Sequence, residues 1–245
     1  MGDIGFEWGP TGAAATAERG GVAVVVDVLS FTTTLSVAID DGVTVYPFGW
    51  KDERAEAYAV ERDAVLARGR SRRAGVSLSP ASVRAATGVR RLVLPSPNGS
   101  AICSALAGGG STVVGASLRN AAAVARWLAG RRTPIVVIAA GERWPDGSLR
   151  PAVEDLWGAG AVIAGLVDLR AARLSPEARM AEQAHRAVAG RLAEELHACT
   201  SGQELVAMGF AEDVTIAAEA DTSDRVPVLV GDAFVAAEVT GAGTR

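Results

Sequence analysis

The segment VVVDVLSFTTT, Val24–Thr34, ends an apolar run in one carboxylate, Asp27, and follows it with the hydroxyls of Ser30, Thr32, Thr33 and Thr34. Asp27 in that setting can bind a divalent cation, attack as a nucleophile or cap a helix. Hydroxyls at a helix start suit an anion, because the first amides of a helix point at it. They are equally an ordinary run of N-cap residues. A second cluster, LPSPNGS at Leu94–Ser100, contains Asn98-Gly99, a dipeptide that tolerates positive φ and can turn backbone N–H groups toward a phosphate oxygen. The same dipeptide makes ordinary turns. A third, AGERWPDGSLRPAVEDLWGAG at Ala140–Gly160, has Glu142, Arg143, Asp146 and Arg150 in a loop and then Glu154 and Asp155 near a helix start. Acids there meet the positive end of the helix dipole. They can also give oxygen ligands to Mg²⁺, which takes one or two carboxylates and keeps several waters.

Other layouts for phosphate or nucleotide chemistry are missing. No GxxxxGK[ST] occurs, and GAGAVIAG, Gly158–Gly165, lacks the dinucleotide spacing and lies in a helical segment. Leu29 stands where a haloacid dehalogenase would carry its second aspartate. Cys103 and Cys199 show neither metal-ligand spacing nor the arginine of a cysteine phosphatase loop, and His185 and His197 read as surface or satisfied residues.

These clusters need a scaffold, and the chain supplies one. Short β-branched runs alternate with alanine-rich segments, which predicts a three-layer α/β/α fold with a largely parallel or mixed sheet. Strands are expected at Val22–Asp27, Val43–Phe48, Arg91–Leu94, Thr112–Ala116 and Ile135–Ala140, and helices at Thr33–Asp40, Lys51–Arg68, Ala101–Ala107, Asn120–Leu128 and Val153–Leu166. VAVVVDV and PIVVIAA do not alternate polar with apolar, so both predict strands buried on two faces. A long helix opening at SPEA, with Ser175 as N-cap, is expected to bury Met180, Ala184, Val188, Leu192 and Leu196. Each cluster then falls beyond the carboxyl end of a strand, where such sheets bind ligands. An echo between AVVVDVLSFTTTLSVAIDDGVTVYPF and LVLPSPNGSAICSALAGGGSTVVGAS suggests an internal βαβ duplication, and residues 1–245 read as one domain.

Bulk composition agrees with that frame. The 245 residues are 49% hydrophobic and 21% charged with a net charge of −4, which argues against nucleic acid as the main partner. No run of 18 apolar residues occurs, and the opening MGDIGFEWGP lacks the basic and apolar regions of a signal peptide. A cytoplasmic protein with free thiols and no membrane partner is expected. Trp127, Trp144 and Trp157 are candidates for a contact between copies in a homo-oligomer, or for isolated core residues.

Taken in order, the clusters resemble the 2-phosphosulfolactate phosphatase (ComB) family over nearly the whole chain. VVVDVLSFTTTLSVAIDDG, SPNGSAICSA, VVGASLRNAAAVARWL, VEDLWGAGAVI and TSGQELVAMGFAEDVTIAAEADTSDRVPVL carry the resemblance. It implies a Mg²⁺-dependent phosphatase acting on a small anionic phosphoester, by default 2-phosphosulfolactate on the route to coenzyme M. Asp27, Glu154 and Asp155 are then the catalytic and metal-binding carboxylates, and Thr32, Thr33, Asn98, Gly99 and Ser100 line the phosphate pocket. The alternatives are another phosphorylated hydroxy acid as substrate, or a degenerate member that binds an anion without turning it over. Three features depart from the family. Ser30 replaces an arginine, Pro97 enters the Asn-Gly loop, and ARGRSRRAGVSLSP offers Arg68, Arg70, Arg72 and Arg73 where the family carries a Gly-Gly-Glu-Arg segment. Those arginines either replace the lost cation or form a solvated loop.

Overall fold

The computed structural model describes residues 4–17, 20–49, 53–70, 75–169 and 173–237. The chain runs β1 (Ile4–Trp8), α1 (Gly9–Ala17), β2 (Gly21–Val26), α2 (Phe31–Asp40), β3 (Thr44–Phe48), α3 (Glu53–Glu61), β4 (Val65–Leu66), α4 (Pro80–Arg84), β5 (Arg91–Pro95), α5 (Gly99–Leu106) and β6 (Ser111–Ala116). It continues through α6 (Ala121–Ala129), β7 (Ile135–Ala139), β8 (Glu142–Arg143), β9 (Leu149–Arg150), α7 (Val153–Leu169), α8 (Pro176–Val188), α9 (Leu192–Ala198), α10 (Thr200–Ala207), α11 (Ala211–Ala217), β10 (Pro227–Val230) and β11 (Ala233–Ala236).

The strands make a mixed sheet in the order β1-β7-β2-β6-β10-β11-β3-β5-β4, with β8 and β9 as a separate hairpin. Helices cover both faces, giving three layers. Alternate residues of one strand enter different cores: Val22, Val24 and Val26 pack on one face, Ala23 and Val25 on the other. β7 divides in the same way, with Val137 and Ala139 opposite Val136 and Ile138. That two-sided burial is the reason neither run alternates polar with apolar.

The sheet has two parallel halves. β1, β7, β2 and β6 run together, as do β3, β5 and β4, and the antiparallel hairpin β10–β11 sits between β6 and β3. Three antiparallel steps reverse the second half relative to the first. In a flat sheet β2 and β5, five steps apart, would lie about 24 Å from each other with opposed ends. A twist of about 20–25° per step turns the second half by on the order of 100°, so that the ends are no longer opposed, and the loops beyond them make the contact, Gly99 N after β5 donating to Asp27 after β2. The two echoing segments become β2-α2-β3 and β5-α5-β6, whose strands pair reciprocally, β2 with β6 and β3 with β5, as two copies of one unit would.

The expected strands appear as β2, β3, β5, β6 and β7, while several other expectations need correction. The helix expected over Lys51–Arg68 is α3 alone, followed by β4. Lys51 lies outside the described residues, as do Arg72 and Arg73. The long helix from Ser175 is broken by a 3-10 turn at Ala189–Arg191 into α8 and α9. Ser175 does cap it, its Oγ accepting the Ala178 N–H at 3.1 Å. Val188, Leu192 and Leu196 are buried as expected, but Met180 is 70% exposed. Trp157 is in the core and Trp144 is exposed. Among the described residues no helix is long and apolar enough to cross a membrane.

Candidate active site

Asp27 leaves the end of β2 with 5% exposure, and each carboxylate oxygen is held by the amide that starts a helix. Oδ1 accepts the N–H of Phe31, the first residue of α2, at 3.2 Å, and Oδ2 accepts that of Gly99, the first residue of α5, at 2.8 Å. Two positive helix ends thus converge on one carboxylate. Gly99 has to be glycine here, since a Cβ would stand 2.7 Å from Asp27 Oδ2 and 2.7 Å from Phe31 Cδ1.

α7 delivers the second pair of acids, and Gly158 sets how closely it lies. A Cβ there would come within 2.7 Å of Val28 and 2.8 Å of Val26, so the helix rests directly on the end of β2. Asp155 is buried with both oxygens on amides, Oδ1 taking Val28 N at 2.7 Å and Oδ2 taking Gly141 N at 2.8 Å. It straps the end of β2 to the end of β7. Glu154 is also buried, and after burial itself its charge is the chief cause that pushes the Cys199 thiol ahead of α10 up to about 12.

The Asn-Gly loop closes the third side. Asn98 Nδ2 donates to Glu142 Oε2 at 2.9 Å, joining the loop after β5 to the hairpin after β7. The hydroxyls face inward: Thr32 Oγ1 donates to Asp27 O at 2.8 Å, Thr33 Oγ1 to Val28 O at 2.7 Å and Ser100 Oγ to Leu94 O at 3.0 Å. A hydroxyl has one proton, so in this arrangement all three brace the main chain and have no proton left for a phosphate.

Acids crowded in this way raise one another. Burial, then the charges of Asp27 and Glu154, hold Asp155 well above the ordinary aspartate range despite its two amide bonds. Asp27 is raised by burial and eased by the Gly99 and Phe31 amides, with Glu154 pushing it up and the Arg70 guanidinium pulling it down. Glu142 is pushed up to about 7, first by burial and then by Asp27. Among the described residues no three His, Cys, Asp or Glu side chains are arranged to hold a metal ion. Mg²⁺ needs no such cage, because one or two carboxylates with waters and a phosphate complete its shell. A group of buried carboxylates in excess of the cations beside them has the chemistry for that.

Ser30 and the basic loop meet at this pocket. Arg70 Nη2 donates to Ser30 Oγ at 2.5 Å, and Arg70 Nε and Nη2 lie 3.2 and 3.1 Å from Asp213 Oδ2 on α11. Asp213 is 1% exposed and also accepts Ser79 Oγ at 2.5 Å. The structure therefore brings together Asp27, Asn98, Gly99, Glu154 and Asp155, and adds Glu142, Arg70 and Asp213, which sequence reasoning did not carry into the site. For Glu142 a signal existed, since it follows a strand end as Asp27 does. For Asp213 the Asp-Val pair in the tail was the only pointer.

The profile of the 2-phosphosulpholactate phosphatase family matches residues 11–232. A probable 2-phosphosulfolactate phosphatase of Deinococcus radiodurans is 32% identical over 218 residues, 85% of this chain and 88% of the relative. Proteins with the same name from Symbiobacterium thermophilum and Carboxydothermus hydrogenoformans are 30% and 29% identical, covering 86% and 83% of this chain and 91% and 84% of their own lengths. With that match spanning all three strand-end loops, the chain belongs to the 2-phosphosulfolactate phosphatase family and is a phosphomonoester hydrolase acting on a small anionic phosphoester.

Proposed function

We propose that the protein hydrolyses 2-phosphosulfolactate to sulfolactate and phosphate with the help of Mg²⁺. The observation that carries this reading is the convergence of the loops after β2, β5 and β7 on Asp27, where two helix N-termini meet a group of buried carboxylates. Asp27 and Glu154 are the carboxylates that would hold Mg²⁺, with Asp155 behind them fixing the strand ends. The ion, when bound, supplies positive charge against the phosphoryl oxygens and orients water.

The chain's own groups do the rest. The α2 and α5 amides hold Asp27 in a fixed position before substrate binds, so that no part of the barrier goes into orienting it. Asn98 fixes one oxygen of Glu142, whose carboxyl, poised near 7, suits it to give a proton to the departing alkoxide of sulfolactate. The three inward hydroxyls keep the loop geometry stiff. Phosphate release from 2-phosphosulfolactate and other phosphorylated hydroxy acids, with Mg²⁺ and with a chelator, tests the reading. Release that requires Mg²⁺ and is fastest on phosphosulfolactate is expected. Release from none of them would leave a protein that only binds anions.

A further inference from the structure

We propose that Arg70 is the residue that selects the substrate, its guanidinium binding a second acidic group, carboxylate or sulfonate, that the phosphoester carries beside its phosphate. The inference rests on the phosphatase reading and adds to it the residue that reads the substrate's second acid.

Arg70 is fixed far more firmly than a solvated loop residue would be. Its Nε–Nη2 edge is held by Asp213, Nη2 also reaches Ser30 Oγ and the Leu78 carbonyl at 3.4 Å, and the side chain stacks 5.4 Å from the Phe210 ring centre. A carboxylate as buried as Asp213 is costly unless paired, and here three separate elements, the loop after β4, the Ser79 cap of α4 and α11, meet to pair it. The result is an arginine oriented by its far edge. One nitrogen stays available: Nη1 makes no hydrogen bond among the described residues, and the side chain keeps 18% of its surface exposed.

Nη2 ties the anchored edge to the Asp27 loop. Ser30, which Arg70 touches, immediately precedes Phe31, whose amide holds Asp27. The Arg70 charge is felt at Asp27 itself. With Nε and Nη2 engaged, Nη1 is the donor left for a carboxylate or sulfonate oxygen, and a ligand that displaced the Ser30 hydroxyl would gain Nη2 as well, a fork that lysine cannot reproduce. The remaining pocket is acidic and would repel a second anion, so a fixed cation at its rim decides whether a diacid is accepted.

Three substrates test this: 2-phosphosulfolactate, 2-phospholactate, which lacks the sulfonate, and isopropyl phosphate, which lacks both acids. Arg70→Ala is expected to raise KM about 10- to 100-fold for phosphosulfolactate, with kcat changed far less, and to lower kcat/KM for isopropyl phosphate by a much smaller factor, so that the ratio between the two substrates falls. Arg70→Lys should recover only part of the loss. An equal loss on phospholactate assigns the carboxylate to Arg70, and a loss confined to phosphosulfolactate assigns the sulfonate. Ratios of kcat/KM between substrates cancel any change in the amount of folded enzyme. The same factor on all three substrates would overturn the proposal and leave the phosphatase reading standing. If the wild type releases phosphate from none, the phosphatase reading falls, and calorimetric titration with phosphosulfolactate still decides for Arg70: unchanged affinity in Arg70→Ala overturns it.

Discussion

Replacing Gly99 by alanine should damage fold and activity together, because one atom would be forced into the most crowded part of the site. The new Cβ would lie 2.7 Å from Asp27 Oδ2, 2.7 Å from Phe31 Cδ1 and 2.8 Å from Asp27 Cβ. None of these neighbours can swing away, since Asp27 and Phe31 are 5% and 0% exposed and Asp27 is held by two amides. Adding a methyl group to a filled interior costs about 1–3 kcal/mol. Pushing Asp27 off the Gly99 amide forfeits a charge-assisted hydrogen bond worth about 1.5–3 kcal/mol. The sum, about 2.5–6 kcal/mol, is measurable as a lower urea midpoint with the slope unchanged. Phosphate release should fall by at least about tenfold under conditions where the variant is folded, as the displaced group is Asp27 itself. Gly108→Ala is the control, because nothing lies within 4 Å of a Cβ there and its backbone is not left-handed. If Gly99→Ala unfolds within about 0.5 kcal/mol of wild type and keeps full activity, the packing of Asp27 against the α5 N-terminus is not what shapes the site.

Asp27→Asn removes the central charge while preserving shape, and kcat is expected to fall by about 100-fold or more; unchanged turnover would remove Asp27 from the reaction. Glu142 ties stability to pH. Its carboxyl moves from an ordinary 4.5 to about 7 in the fold, so the native state binds the extra proton and stability is full below 4.5 and declines as pH rises through 7. At about 1.36 kcal/mol for each tenfold change in proton affinity, the decline is on the order of 3 kcal/mol. Glu142→Gln should flatten that part of the curve in denaturant titrations at pH 4.5 to 8 without metal, and a variant with the wild-type slope would contradict the assignment. Mg²⁺ should raise the melting temperature, and by more at pH 8 than at pH 5, where protons compete for the same oxygens. A shift independent of pH would place any bound ion away from these carboxylates.

The sheet was legible where the signal is local. Val22–Val26 and Ile135–Ala139 read as buried strands because every residue enters one of two cores. The hairpin β10–β11 carries equally apolar but shorter runs, PVLV and AFVA, and nothing near it in sequence says that it joins the two halves of the sheet. The stripe along the C-terminal helix failed for a geometric reason. A helix turns 100° per residue, so a strict four-residue repeat drifts by about 40° a step and by about 160° from Met180 to Leu196. Met180 and Leu196 could not have shared a face even had the helix run unbroken.

The same geometry separates the acids. Glu154 and Asp155 look like a matched pair of ligands in sequence, but adjacent residues on a helix point about 100° apart. α7 therefore sends them to different tasks, Asp155 to the two amides that tie β2 to β7 and Glu154 toward Cys199. Glu142, in sequence one of several charged residues of a loop, gains its proton affinity only because folding buries it beside Asp27 and Glu154. Arg70 and Asp213 are 143 residues apart and meet only in the folded chain. Residue type names the carboxylates that can take part. Which of them meet is decided by strand ends and helix starts far apart in sequence, the α2 and α5 amides fixing Asp27 and those of Val28 and Gly141 fixing Asp155.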